Sequence, residues 1–376
     1  MVSKIFVNLL VLMLYGWGVV SSALAADPVR VAAIFSQTGI AARHNAPIIE
    51  MVQLAFDEVN RTGGLLGHPV DLRLIDNQST AIGAALAAED AVRQKVVAVI
   101  GAHWSSHSLA MAPILQKAGI PMISPGSTNP EVTKVGNYIF RACFVDSFQG
   151  KAMARFAHSE LKARSAVILK NIDEAYSMML AEYFAQAFSD IGGKVLLDTG
   201  YRGKAVDFSQ LLGQVKELHP DVLYIPGYTR DSGLIIKQAS SLGIQAEFLG
   251  GDAWDDIYSF AGDAINGSYN SAPWHPDVPF PASAHLKKLY FEKFHHEISN
   301  VSAPLAYDAV MLLKTAVEDA RSLERKKVRD ALAAIKDFHG ATGQFSFDQQ
   351  GDPLGKEVII LKWEQGQPKY YSSIHP

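Results

Sequence analysis

Two segments concentrate the side chains able to hold a small charged molecule: Val99–Ser108 (V-I-G-A-H-W-S-S-H-S) and Met122–Glu131 (M-I-S-P-G-S-T-N-P-E). Each reads as a short apolar strand running into a turn rich in Gly and hydroxyl side chains. Between them Leu109–Lys117 has helical spacing. In a doubly wound sheet both turns fall at the carboxyl ends of strands, where such folds place their ligands. Hydroxyls and backbone N–H groups at a helix start suit a small anion such as a carboxylate. No nucleophile with its base emerges beside them. There is no G-x-S-x-G elbow, and Gly351–Lys356 lacks both the spacing and the final Ser or Thr of a phosphate loop. His103 and His107, four apart, could place two metal ligands on one helical face but have no third. The pair His295–His296 precedes Glu297 without the second His of a zincin motif. These residues favour binding over catalysis and call for no metal and no cofactor.

The flanking pattern supplies the scaffold. Val29–Phe35 reads as a strand, followed by a helix over Pro47–Asn60 with Pro47 suiting its first turn. Val70–Ile75 is the next strand, Ala81–Gln94 a helix and Val96–Ile100 a strand. After a pause near Arg141–Gln149 the alternation restarts. Helices are expected at Lys151–Leu161, Tyr176–Ile191, Phe208–Glu217 and Leu234–Leu242, and strands at Ala166–Lys170, Val195–Tyr201, Val222–Pro226 and Glu247–Gly250. Such alternation predicts parallel sheets with right-handed crossovers. From Pro273 a Pro-rich stretch reads as a crossing between lobes. It is followed by helices at Ala282–Glu297, Leu305–Ala320 and Lys327–Ala334, and by terminal strands at Gln344–Phe347 and Val358–Trp363.

At 376 residues the chain suits two domains. The formal net charge is −4, and the longest basic run is Arg325-Lys326-Lys327, which argues against nucleic acid as a partner. Lys4, the apolar run Ile5–Val20 and Ala23-Leu24-Ala25 fit an export signal over residues 1–26. A soluble periplasmic mature chain is expected. Cys143 is the single cysteine, so no intrachain disulfide can form and core burial must supply the stability.

From Val29 onward the chain resembles the periplasmic solute-binding proteins of branched-chain amino-acid ABC transporters. The matching residues are Thr38-Gly39, Asp57-Glu58-Val59-Asn60 with Gly63-Gly64, Gly67-His68-Pro69-Val70, Ile75-Asp76, Val99-Ile100-Gly101, Ile123-Ser124-Pro125, Phe140-Arg141, Asp207-Phe208, and Phe347-Asp348 with Gly351. The resemblance implies an α/β, two-lobed type I binding-protein fold. Each lobe would be a mostly parallel sheet flanked by helices, with a ligand cleft between them. Residues 27–145 with 276–355 would form the first lobe, and 146–275 with 356–376 the second. It further implies a monomeric, non-enzymatic carrier that closes by hinge motion on an amino acid and docks on an inner-membrane ABC permease. The ligand carboxylate would lie on Ser105, Thr128 and the Gly126 backbone. Asp252 would take the ammonium, and Tyr176 and Tyr228 would cover the ligand.

Some residues depart from the family pattern. Ser79 and Trp104 occupy positions where some members carry a disulfide. His44 stands where some carry an aromatic ring, and Asp252 is one methylene shorter than the Glu of the best-known members. Trp104, His44 and Trp254 beside the expected pocket suit a larger, aromatic or polar ligand as well as a branched aliphatic one. Taken alone, Ser105 and Thr128 could equally cap the helices that follow them. Two alternatives keep the fold: a ligand that is an amide, urea or aromatic carboxylate, and a sensor feeding a receptor or kinase.

Overall fold

The computed structural model describes residues 26–376, so the export-signal reading of residues 1–26 lies outside the described residues except for Ala26. The first half alternates β1 (Val29–Phe35), α1 (Ala42–Arg61), β2 (Val70–Asp76), α2 (Ala81–Arg93), β3 (Ala98–Gly101), α3 (Ser105–Ala118), β4 (Met122–Ser124) and β5 (Ile139–Arg141). The strands form one parallel sheet in the order β2-β1-β3-β4-β5. The second half runs α4 (Asp146–Ser159), β6 (Ser165–Asn171), α5 (Ala175–Asp190), β7 (Lys194–Tyr201), α6 (Ser209–Leu218), β8 (Val222–Ile225), α7 (Thr229–Ser241), β9 (Glu247–Gly250), α8 (Tyr258–Ala261) and β10 (Tyr269–Ala272). After it come α9 (Pro281–Phe294), α10 (Pro304–Ala320), α11 (Arg325–Ala334), the short strands β11 (Phe338–Gly340), β12 (Gly343–Phe347) and β13 (Pro353–Leu354), and finally β14 (Val358–Glu364) and β15 (Gln367–Ile374).

The second sheet has the order β15-β14-β10-β9-β8-β6-β7. Its β7-to-β10 portion is parallel, and β14 and β15 add an antiparallel edge. Read from β7, its parallel part repeats the order of the first sheet, so each half carries a topological switch point. Strands β3, β4 and β8 are buried throughout because helices cover both faces of each sheet. In the first half α2 and α3 pack on one face, and α1 and α10 on the other. In the second, α4 and α5 cover one face while α6 and α7 cover the opposite one. The chain passes between halves after β5, after β10 and before β14. Cys143 sits in the first of these passages, fully buried, and burial pushes its thiol up to about 12.

Several expected boundaries move, and they move together. Helix α1 begins at Ala42, so Pro47 lies inside it and not in its first turn. The missing Pro47 N–H leaves only the carbonyl of the exposed Arg43 without its helical donor, which water can serve. The added turn carries His44 and the buried Asn45, whose Oδ1 accepts from Ser36 N at 3.2 Å. Helices α3, α4 and α7 likewise start about one turn before their apolar periodicity. The capping reading of Ser105 and Thr128 fails. Ser105 is the first residue of α3, after Trp104, and Asn129 caps the short 3₁₀ turn Pro130–Val135 that follows Thr128. Trp254 lies in the apolar layer under α6 and α7. Among the described residues no helix is long and apolar enough to cross a membrane.

The turn after β4 is fixed from below by a buried cation. Arg141 Nε donates to Asp352 Oδ1 at 2.6 Å, one terminal nitrogen donates to Ser127 O, and the other reaches Asn129 O at 3.0 Å and Thr133 Oγ1 at 2.8 Å. Removing the guanidinium leaves Asp352 without its cation, holding only Thr133 Oγ1 and its loop backbone, and takes the donor from Ser127 O. Arg141→Ala should therefore cost about 3–5 kcal/mol in urea unfolding, with Arg141→Lys intermediate because it keeps the charge but not the fork.

Candidate functional site

The carboxyl ends of both sheets face one another across a cavity of about 10 Å3, lined by His44, His103, Trp104, Ser105, Gly126, Tyr176, Tyr228, Asp252 and Ala253. That is room for about one water, so the two rims lie nearly closed on one another. A larger depression of about 440 Å3 lies outside the first sheet, between α1, β2 and α9. Its Lys293 and Asp57 pair with each other, and Asn60 bonds the Val70 backbone.

One wall is neutral and rich in donors. Ser105 opens α3, whose amino terminus carries the positive end of the helix dipole. Its hydroxyl accepts from Asn129 N at 3.3 Å. Thr128 is fully buried behind this wall, and its Oγ1 has no aligned partner. Gly126 is required by close approach: a Cβ there would lie 2.1 Å from the His103 ring.

The opposite wall is acidic. Asp252 follows β9 and is buried. It accepts from Gln149 Nε2 at 3.0 Å and from Tyr176 OH at 2.9 Å, while its own N–H donates to Gln149 Oε1 at 3.2 Å. Ser271 Oγ completes the chain by donating to Gln149 at 3.0 Å. Burial pushes the Asp252 carboxyl up to about 7, against the Tyr176 hydrogen bond that lowers it. Asp146, at the start of α4, is pushed well above the carboxylate range by burial and by the charge of Asp252. It lies beside the Thr128 hydroxyl without an aligned hydrogen bond.

Aromatic rings close the sides. Trp104 stacks on Tyr228 with centroids 3.7 Å apart and planes 9° from parallel, and Tyr228 stacks on Tyr176 at 5.2 Å. His44 and His103 lie 5.1 Å apart, and burial lowers both imidazoles so that they are neutral near pH 7. His107 packs under Trp104 at 5.6 Å, with its Nδ1 3.3 Å from Asn77 Nδ2. Among the described residues no group of three or more His, Cys, Asp or Glu could hold a metal ion.

The two halves also meet outside the cavity. Asp255 accepts from Val301 N at 3.1 Å and Ser302 Oγ at 2.7 Å, and lies 3.8 Å from His44 Nδ1. Ser106 Oγ donates to Glu174 at 3.0 Å, Asn129 Nδ2 to Ala175 O at 3.0 Å, and Arg43 pairs with Asp256.

Of the residues expected from sequence, His44, Trp104, Ser105, Gly126, Tyr176, Tyr228 and Asp252 line the cavity, and Thr128 stands just behind it. Sequence reasoning missed His103, treated there only as a metal candidate, and Ala253. It also missed Gln149, which orients Asp252. His103 had a usable signal, its place directly before Trp104 at the end of β3. Gln149 had none, since it reaches Asp252 from 103 residues away.

A family model described as periplasmic binding protein matches residues 28–368. The leucine-, isoleucine-, valine-, threonine-, and alanine-binding protein of Pseudomonas aeruginosa is 27% identical over 353 residues, covering 93% of each chain. Among solved structures, the leucine binding protein LivK of Thermotoga maritima is 34% identical with a TM-score of 0.89, over 93% of this chain and 99% of that one. The branched-chain amino acid transporter substrate binding protein LivJ of Streptococcus pneumoniae, solved in complex with isoleucine, is 28% identical with a TM-score of 0.87, over 93% and 100%. With paired sheets whose strand ends enclose a common cleft, and with likeness running along nearly all of its described length, this chain belongs to the periplasmic binding protein family, beside the leucine/isoleucine/valine-binding proteins.

Proposed function

We propose that the chain is the substrate-binding component of an ABC importer and captures a small α-amino acid between its lobes. The observation that carries this reading is the opposition of one buried carboxyl, Asp252, to a helix amino terminus and hydroxyls across a single small cavity. A zwitterion leaving water needs both, because an unpaired buried charge is very costly. In this reading Ser105, Thr128 and the Gly126 backbone hold the carboxylate, Asp252 holds the ammonium, and Tyr176, Tyr228 and Trp104 cover the ligand. A ligand touching both lobes binds the closed arrangement better, and that difference drives closure. The lobes are residues 27–145 with 276–355 and 146–275 with 356–376, which agrees with where the chain passes between the sheets. The carrier acts as a periplasmic monomer, exported through its first 26 residues, and the closed form docks on the permease.

Asp252→Ala should weaken amino-acid binding by about 3–5 kcal/mol in calorimetry on protein refolded to remove carried-over ligand. Unchanged affinity would remove Asp252 from the site. The wild-type ligand is found first by thermal unfolding against the common amino acids, where a hundredfold excess over Kd adds about 2.7 kcal/mol of stability.

Two pH effects follow from the raised carboxyl. With the cleft empty in this arrangement Asp252 is mostly protonated at pH 5, and a bound ammonium holds it ionised, so binding releases a proton. Affinity should rise between pH 5 and 7, approaching about tenfold per unit, and level off above. The raised pKa also favours folding at low pH. That contribution is fully present below the ordinary value of 3.8 and is lost as pH rises through about 7. Wild-type stability measured against Asp252→Asn, which cancels the opposing effect of the buried histidines, should therefore fall over that window, approaching about 1.4 kcal/mol per unit. Parallel pH profiles for the two proteins would contradict it.

A further inference from the structure

We infer that the side-chain end of this cleft is built for a neutral hydrogen-bonding group, an amide or a hydroxyl, and not for a branched aliphatic chain. The inference rests on the amino-acid reading above and names the ligand class within it. Once Ser105, Thr128 and Asp252 are assigned to the backbone groups of the ligand, His44 and His103 remain on the cavity wall beside the rings of Trp104, Tyr176 and Tyr228 and the methyl of Ala253.

Both imidazoles are at least nine-tenths buried, and each keeps a ring nitrogen without a protein partner, Nε2 of His44 and Nδ1 of His103. Imidazole edges on the cavity wall packed only against hydrocarbon stay unsatisfied, which costs free energy that a hydrogen-bonding ligand removes. The negative charge of Asp255, 3.8 Å from His44 Nδ1, favours the proton on that nitrogen and leaves Nε2 as an acceptor. His103 is seated by the bare backbone of Gly126, so its ring position is built into the turn. Amide and hydroxyl groups both donate and accept, and so match a pair of neutral imidazoles in either tautomer.

Charge and size narrow the class. No Lys or Arg lines the cavity, while Asp252 lines it and Asp255 lies behind His44, so a side-chain carboxylate would be unbalanced. Asp255 is already held by Val301 N and Ser302 Oγ, which leaves it poorly placed to receive a side-chain cation. The Trp104–Tyr228 stack at 3.7 Å closes the remaining side against long or bulky chains. Serine, threonine, asparagine and glutamine fit these limits.

The test is calorimetric titration of the ligand-stripped protein with each of those four, and with alanine, valine, leucine, isoleucine, glutamate and lysine. At least one of the four should bind about tenfold or more tighter than valine, leucine or isoleucine, because a site built for a polar group rejects the analogue lacking it. His103→Leu and His44→Phe, each checked for folding by circular dichroism, should narrow or invert that preference. Equal or tighter binding of the branched aliphatics, of glutamate or of lysine overturns this inference and leaves the amino-acid reading standing. An unchanged preference in either folded variant overturns it too. Failure of every α-amino acid to bind overturns both.

Discussion

The feature on which the site depends is a carboxyl group taken out of water. Asp252 is buried between α4, α5 and the turn after β9, and its neighbours form one polar chain from Ser271 through Gln149 to the carboxyl, with Tyr176 closing it from the other side. All of these residues belong to the second sheet and its helices, so the acid is oriented before the other half arrives. A carboxyl in such a place must share its site with a cation or keep a proton. The opposing wall, with hydroxyls and a helix amino terminus in place of Arg or Lys, does not neutralise it. Charge balance is thus left to whatever enters the cleft, and this links recognition to closure.

Strand order explains why these groups meet. Each parallel sheet carries a switch point, and helices following β1, β3, β6 and β8 start at the rim on their carboxyl ends. Placing two such rims face to face brings His44, Ser105, Tyr176 and Tyr228 together from the first turns of four helices or the residues just before them. These positions are far apart in the chain and adjacent only through topology.

This arrangement also accounts for what could and could not be read in advance. Strands β1 and β9 are apolar or β-prone runs ended by turns, and their limits match the sequence pattern. Ser105 and Asp252 were legible because strand-end turns mark a rim and the family resemblance supplied the register. The first turns of α1, α3, α4 and α7 were not legible as helix. They face a polar cleft, so apolar periodicity starts only where each helix reaches its core. Strand β10 was invisible for a related reason: Tyr269-Asn270-Ser271-Ala272 is buried but polar, with Ser271 committed to Gln149 and Asn270 to Trp363. Trp254 was misplaced because residues two apart in the turn after β9 point to opposite sides, Asp252 into the cleft and Trp254 into the layer under α6 and α7. The Arg141–Asp352 pair joins residues 211 apart and had no local trace.

The buried thiol of Cys143 has a practical consequence. It lies in the passage between the halves, sealed from solvent and held fully protonated, and it is the only sulfhydryl in the chain. The native protein therefore offers no reactive background to maleimide chemistry. A pair of surface cysteines, one on each lobe, would carry spin labels or fluorophores without prior removal of an endogenous one. Opening and closing of the cleft could then be followed as a distance distribution in the unaltered core, and the occupancy of the closed form counted directly at each ligand concentration.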